Sequence, residues 1–164
     1  MRFTAVALFV ACALSSVAQA QPQTDYWFVV ASTNNGRAYS AAYIDTTRIS
    51  QRGPYLRAWV ELQFAANAPG VMARYSQAAM LTEFDCEQRR SRVLQMTSYY
   101  RSDGSPNTTT ETSNWQFETP RTAGETTLLF VCASAAERLN NANYVQLDGM
   151  SVAEAAEILF DVQR

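Results

Sequence analysis

The 164-residue sequence contains no histidine, and it contains no lysine: all 13 of its basic residues are arginine. Schemes that need an imidazole or a lysine amine are therefore excluded. These include Ser-His-Asp, Cys-His and Ser-Lys catalysis and histidine-ligated zinc. The 15 acidic residues bring the formal charge to −2, so the basic footprint of a nucleic-acid module is missing. Glycine (6) and proline (5) are scarce. No repeat, low-complexity tract, glycine-rich phosphate loop, calcium loop or domain-splitting linker is present. Beyond the N-terminus no apolar run approaches the roughly 20 residues of a membrane-spanning helix. What remains is 48% hydrophobic and 17% charged, a globular composition of a length that suits one domain.

The N-terminus has its own pattern. Arg2 precedes a mostly apolar stretch from Phe3 to Leu14, and Ala18-Gln19-Ala20 is a small-x-small cleavage pattern. Residues 1–20 read as a secretory signal peptide, with residues 21–164 as the mature domain. The protein is expected in the periplasm, at the cell surface or secreted. Cys12 follows Phe9-Val10-Ala11, a poor lipoprotein cleavage site, so it is read as part of the signal and lipid anchoring is not expected. Cleavage leaves Cys86 and Cys132. In an oxidising compartment these two admit one pairing. The alternative is two separate buried thiols. A bridge over so long a loop would stabilise the fold by about 3–4 kcal/mol.

Short strand patterns separated by turn signals dominate the mature chain. Tyr26 to Val30 is aromatic and β-branched, and Asn34-Asn35-Gly36 carries a tight-turn dipeptide before a return strand from Ala38 to Asp45. From Leu56 to Phe64 the pattern alternates: Leu56, Ala58, Val60, Leu62 and Phe64 share one face, and Arg57, Trp59, Glu61 and Gln63 the other. Long strands are expected over 71–86 and 88–100, and a last one over 112–118. After Pro120 the period becomes helical. Thr122/Glu125 and Ser151/Glu154 match capping boxes. One helix is expected from Gly124 through Leu139, and a second has the stripe Val152, Ala155, Ala156, Leu159 and Phe160. The expected fold is α+β: an antiparallel sheet of about six strands with two C-terminal helices packed on one side.

Several residues then come in a recognisable order. They are Tyr43-Ile44-Asp45 with Ile49, Arg57 to Val60, Glu83-Phe84-Asp85-Cys86-Glu87-Gln88-Arg89-Arg90-Ser91-Arg92, Ser98-Tyr99-Tyr100, Trp115, Pro120, Gly124-Glu125 and Val131-Cys132. This ordered set resembles the bacterial surface-adhesin protein E family, from about Tyr26 to Cys132. The resemblance implies a curved antiparallel sheet tied to a helix by a disulfide, here between Cys86 and Cys132. It also implies a non-enzymatic binding scaffold whose partners are host matrix or serum proteins such as vitronectin and laminin. The segment 140–164 extends beyond that resemblance.

Candidate contact residues are few. Arg89, Arg90 and Arg92, with Tyr99 and Tyr100 downstream, are read as an anion-recognising strip for acidic protein segments or sulfated glycans. Pairing of these arginines with Glu83, Asp85 and Glu87 is the structural alternative. Trp59, on the polar face of its strand, is a candidate anchor for a partner or a homodimer, or else packs under a loop. Glu83 and Asp85 are read as a solvated acidic edge, not a catalytic pair. Asn107-Thr108-Thr109 matches a glycosylation sequon. No cofactor or metal is expected. The functional expectation is an exported, adhesin-like binding protein. The alternative is a soluble periplasmic envelope or small-ligand-binding protein, with its groove between sheet and helices.

Overall fold

The computed structural model describes residues 25–162. The signal-peptide reading of 1–20 and the fate of Cys12 lie outside the described residues. The element order is β1 (Tyr26–Asn34), β2 (Arg37–Asp45), β3 (Ser50–Arg52), β4 (Tyr55–Phe64), β5 (Tyr75–Asp85), β6 (Arg90–Tyr100), β7 (Pro106–Thr109), β8 (Gln116–Phe117), α1 (Ala123–Cys132), α2 (Ala135–Leu139), β9 (Val145–Gln146) and α3 (Val152–Asp161). The strands form one open antiparallel sheet in the order β7-β6-β5-β4-β2-β1-β9, with β3 paired to β4 and β8 to β6. The α+β meander with C-terminal helices is therefore the fold. Among the described residues the nine strands exceed the expected six by β3, β7 and β9, which are two to four residues long and wholly exposed, and the strand expected over 112–118 is the equally exposed two-residue β8. Such segments carry no apolar alternation. The β1–β2 hairpin turns where Asn-Gly stands: Asn35 and Gly36 both adopt positive φ (50° and 77°), as the primed turn requires.

Side chains alternate across the strands, and this sheet buries both faces. On one face Trp27, Val29, Ile44, Ala58, Val60 and Phe84 pack under Leu128, Phe130 and Val131 of α1. On the other face Ala41 and Tyr43 pack with Leu147 and with Val152 and Ala156 of α3, joined by Tyr26 and Phe28. The expected placement of both helices on one side is corrected: the helices divide between the faces. The reason lies in β1 and β2, whose consecutive residues are apolar. A single helix covers one face and leaves Tyr26, Phe28, Ala41 and Tyr43 in water.

Each helix is fixed at its ends. Thr122 caps α1, its hydroxyl accepting from the Glu125 N–H at 3.3 Å. Phe130 is fully buried between Trp27 (5.9 Å) and Tyr144 (4.9 Å). The helix expected to run on to Leu139 instead stops at Cys132. Ser134 and Glu137 form a reciprocal capping box that starts the short α2. Leu139 accordingly leaves the apolar stripe and is 68% exposed. Arg138 of α2 turns back to donate to the Phe130 and Val131 carbonyls at 2.9 and 3.0 Å. Both belong to the last turn of α1, where the Phe130 carbonyl also accepts from the Ala133 N–H at 3.3 Å. The box Ser151/Glu154 starts α3 as its sequence indicates, and the five residues of the expected stripe all enter its cluster.

Cys86 and Cys132 are bonded, with Cα atoms 5.7 Å apart and a sequence separation of 46. The bond links the residue after β5 to the last residue of α1. Closing that loop in the unfolded chain stabilises the fold by about 3–4 kcal/mol in the loop-entropy treatment. We expect the Cys86→Ala/Cys132→Ala protein to lose about this much in urea unfolding at neutral pH. An unchanged unfolding free energy would mean that packing alone holds α1.

Candidate binding surface

Strands β4, β5 and β6 run side by side, and their register sets Arg57 opposite Glu83 and Glu83 opposite Arg92. Two residues along, Asp85 faces Arg90. All five alternate with Phe84, which packs under α1, so they lie on the opposite face. Glu83 is 1% exposed. It accepts from Arg57 Nε at 2.7 Å, and from Arg92 Nε at 2.8 Å and Nη2. Burial alone would raise its carboxyl, but the hydrogen bonds and charges of the two guanidiniums outweigh burial and hold it below the ordinary glutamate value. Asp85 accepts from the Gln88 backbone N–H and from Arg90 Nε, both at 3.0 Å. These bonds hold it below the usual aspartate value as well. The expected solvated acidic edge is corrected: the register buries both carboxylates and covers them with arginine.

Trp115 completes the cluster from outside the long strands. Its ring lies 4.8 Å from the Arg90 guanidinium and 4.4 Å from that of Arg92, within cation–π range. The Tyr55 ring packs on it at 5.0 Å. Each guanidinium carries five N–H donors. The bonds to Glu83 and Asp85 use one from Arg57, one from Arg90 and two from Arg92. Donors therefore remain on side chains that are 22–35% exposed. Three guanidiniums over two carboxylates leave an excess positive charge, held rigid by strand pairing and by the indole.

The remaining sequence candidates sit elsewhere. Arg89, in a left-handed conformation (φ 53°) at the β5–β6 turn, bonds to Glu125 in the first turn of α1. Tyr99 is half-buried further along β6, opposite Gln77. The Tyr100 ring packs on Tyr75 at 5.0 Å, and a hydrogen bond with Tyr75 raises its hydroxyl pKa. Trp59 lies beneath the Arg48 guanidinium, 5.6 Å from its ring centre, on the face shared by Arg57. The structure thus brings together Arg90 and Arg92, and adds Arg57, Trp115 and Tyr55. Arg57 was visible as a polar-face residue of an alternating strand. Trp115 was visible as an isolated tryptophan in a polar stretch. Among the described residues no group of three or more metal-ligating side chains is placed to hold an ion, and no helix is long and apolar enough to cross a membrane.

The family model for surface-adhesin protein E matches residues 18–133, and the chain belongs to that family. The matched span contains both bonded cysteines, β1 through β8 and α1, while α2, β9 and α3 follow it. No curated protein and no solved structure matches the chain.

The cluster makes a pH-dependent contribution with a defined sign. A carboxyl whose folded pKa is depressed stabilises the fold above its unfolded value, and that stabilisation is lost as pH falls through the folded value. Glu83→Gln leaves two half-buried guanidiniums short of a charged acceptor and should cost about 1–3 kcal/mol at pH 7. The gap between the two proteins should narrow as pH falls below about 4, where a free glutamate protonates. Urea unfolding at several pH values checks this, and a gap constant through the acid range would assign the loss to packing.

Proposed function

We infer that this protein is an exported, non-enzymatic adhesin-like module that binds host matrix or serum proteins, delivered outside the cytoplasm by a signal peptide at residues 1–20. The observation that carries this reading is membership of the surface-adhesin protein E family over residues 18–133. A disulfide supports it, because such bonds persist in oxidising compartments. The contact we assign is the Arg57–Arg90–Arg92–Trp115 cluster, with an acidic segment of the partner as its target. Planar guanidinium forks suit carboxylates, and side chains already held by Glu83, Asp85 and an indole lose little freedom on binding.

Surface labelling of intact cells should reach the mature protein. Purified mature protein should bind immobilised vitronectin or laminin in a dose-dependent, salt-sensitive manner. Arg90→Ala/Arg92→Ala should weaken that binding about tenfold or more. Arg90→Lys/Arg92→Lys should restore it only in part, since lysine keeps the charge without the fork. Recovery of the native protein in the soluble periplasm alone would rule out direct adhesion. Binding untouched by the alanine pair would move the contact away from this cluster.

A further inference from the structure

The face that carries α1 is not completely covered. A groove of about 340 Å³ lies beside the first turn of α1, at the lower end of the range for small-molecule sites. Its floor comes from alternate residues of β4, β5 and β6, namely Val60, Leu62, Met80, Phe84 and Val93, with Met72 at its border. The hydroxyl-bearing residues Ser32, Tyr39, Ser40, Ser91 and Thr127 also line it. Thr82 is 5% exposed, and among the described residues its hydroxyl finds no hydrogen-bond partner. At the α1 end stands Glu118, the one charged side chain among the described residues that line the groove.

Glu118 is held in place from two sides. Ser91 donates to its carboxylate, taking one of about four lone-pair positions. Across from it is Gly124, where a Cβ would overlap the Glu118 carboxylate. A side chain at position 124 would push the carboxylate aside. Thr82 and Phe84 are two residues apart on β5, and Phe84 pairs with Ser91.

We propose that this groove binds a single-chain alkylammonium: an apolar tail over Leu62, Met80 and Val93, and an ammonium head on Glu118. The volume corresponds to roughly ten waters, which sets the whole ligand, head included, near ten heavy atoms. Charge decides the head. A carboxylate or phosphate there meets Glu118 with no cation in the lining to offset it. The arginines of this half of the sheet sit on the other face, bonded to Glu83 and Asp85. The assignment is independent of adhesion, since it uses different residues on a different face.

Calorimetric titration of the mature protein, below micelle formation, tests the proposal with two probes, decylammonium and decanoate. Decylammonium should bind the tighter, with decanoate weaker by about tenfold or more. Glu118→Gln should abolish the preference for ammonium over carboxylate, and Gly124→Ala should reduce it by displacing Glu118. Leu62→Trp should fill the groove and abolish binding of both, and Val93→Trp serves the same purpose if the first variant does not fold. Decanoate binding as tightly as decylammonium, or affinity that survives a folded tryptophan variant, overturns the assignment.

Discussion

The covalent link between Cys86 and Cys132 joins two structures that the chain builds separately. One is the antiparallel meander through β5, and the other is the helix that covers it. Because the bond sits on the last residue of α1, it fixes that end of the helix over the end of β5. Phe130, two residues before it, is then held between Trp27 and Tyr144. A ten-residue helix spans about 15 Å, so its first turn reaches only part of the way across the sheet. The bonded end determines which apolar residues α1 seals, and the length of the helix determines which it leaves for the groove.

An all-arginine basic complement has a structural consequence in the centre of the sheet. Burying Glu83 strips its carboxylate of water, which a single point charge offsets poorly. Two planar guanidiniums, one from each neighbouring strand, satisfy it with three N–H bonds. The arrangement exists in only one register. A one-residue slip of β5 would turn Glu83 into the apolar cluster under α1 and expel Phe84 to the arginines. The ion pairs therefore act chiefly on specificity, penalising misregistered sheets more than they lower the energy of the correct one.

The sequence made local features readable wherever a short-range rule governs them. Asn35-Gly36 marks its turn, the alternation from Leu56 to Phe64 marks β4, and Ser151/Glu154 marks the start of α3. The pairing of the cysteines was legible because only two lie beyond the first twenty residues and the family pattern joins them. Three features lie beyond what simple periodicity marks. Ser134-Ala135-Ala136-Glu137 is itself a capping box, and it ends α1 where periodicity alone continues it. Ala41-Ala42-Tyr43-Ile44 is an unbroken apolar run, the mark of a strand covered on both faces, and it requires the second helix to lie opposite the first. Pro106–Thr109 is polar on both faces because it is an edge strand, so no alternation reveals it. The arginine–tryptophan cluster was legible only in part. Trp115 reaches Arg90 and Arg92 from a segment more than twenty residues downstream, and no local spacing encodes that meeting.

The two candidate sites share one set of strands. On β5, Thr82 and Phe84 face the groove while Glu83 and Asp85 face the arginines. On β4 and β6, Arg57 and Arg92 hold Glu83 from either side, while Val60, Leu62 and Val93 line the groove behind them. The contacts that set the charged face therefore also set the spacing and direction of the side chains on the apolar one. A ladder locked by Glu83 cannot rotate Thr82 outward without moving Glu83 inward, where no guanidinium follows. The hydroxyl stays in an apolar groove because the carboxylate beside it in sequence has its partners on the opposite face, and the electrostatics of one surface thereby maintain the unpaired polar group of the other.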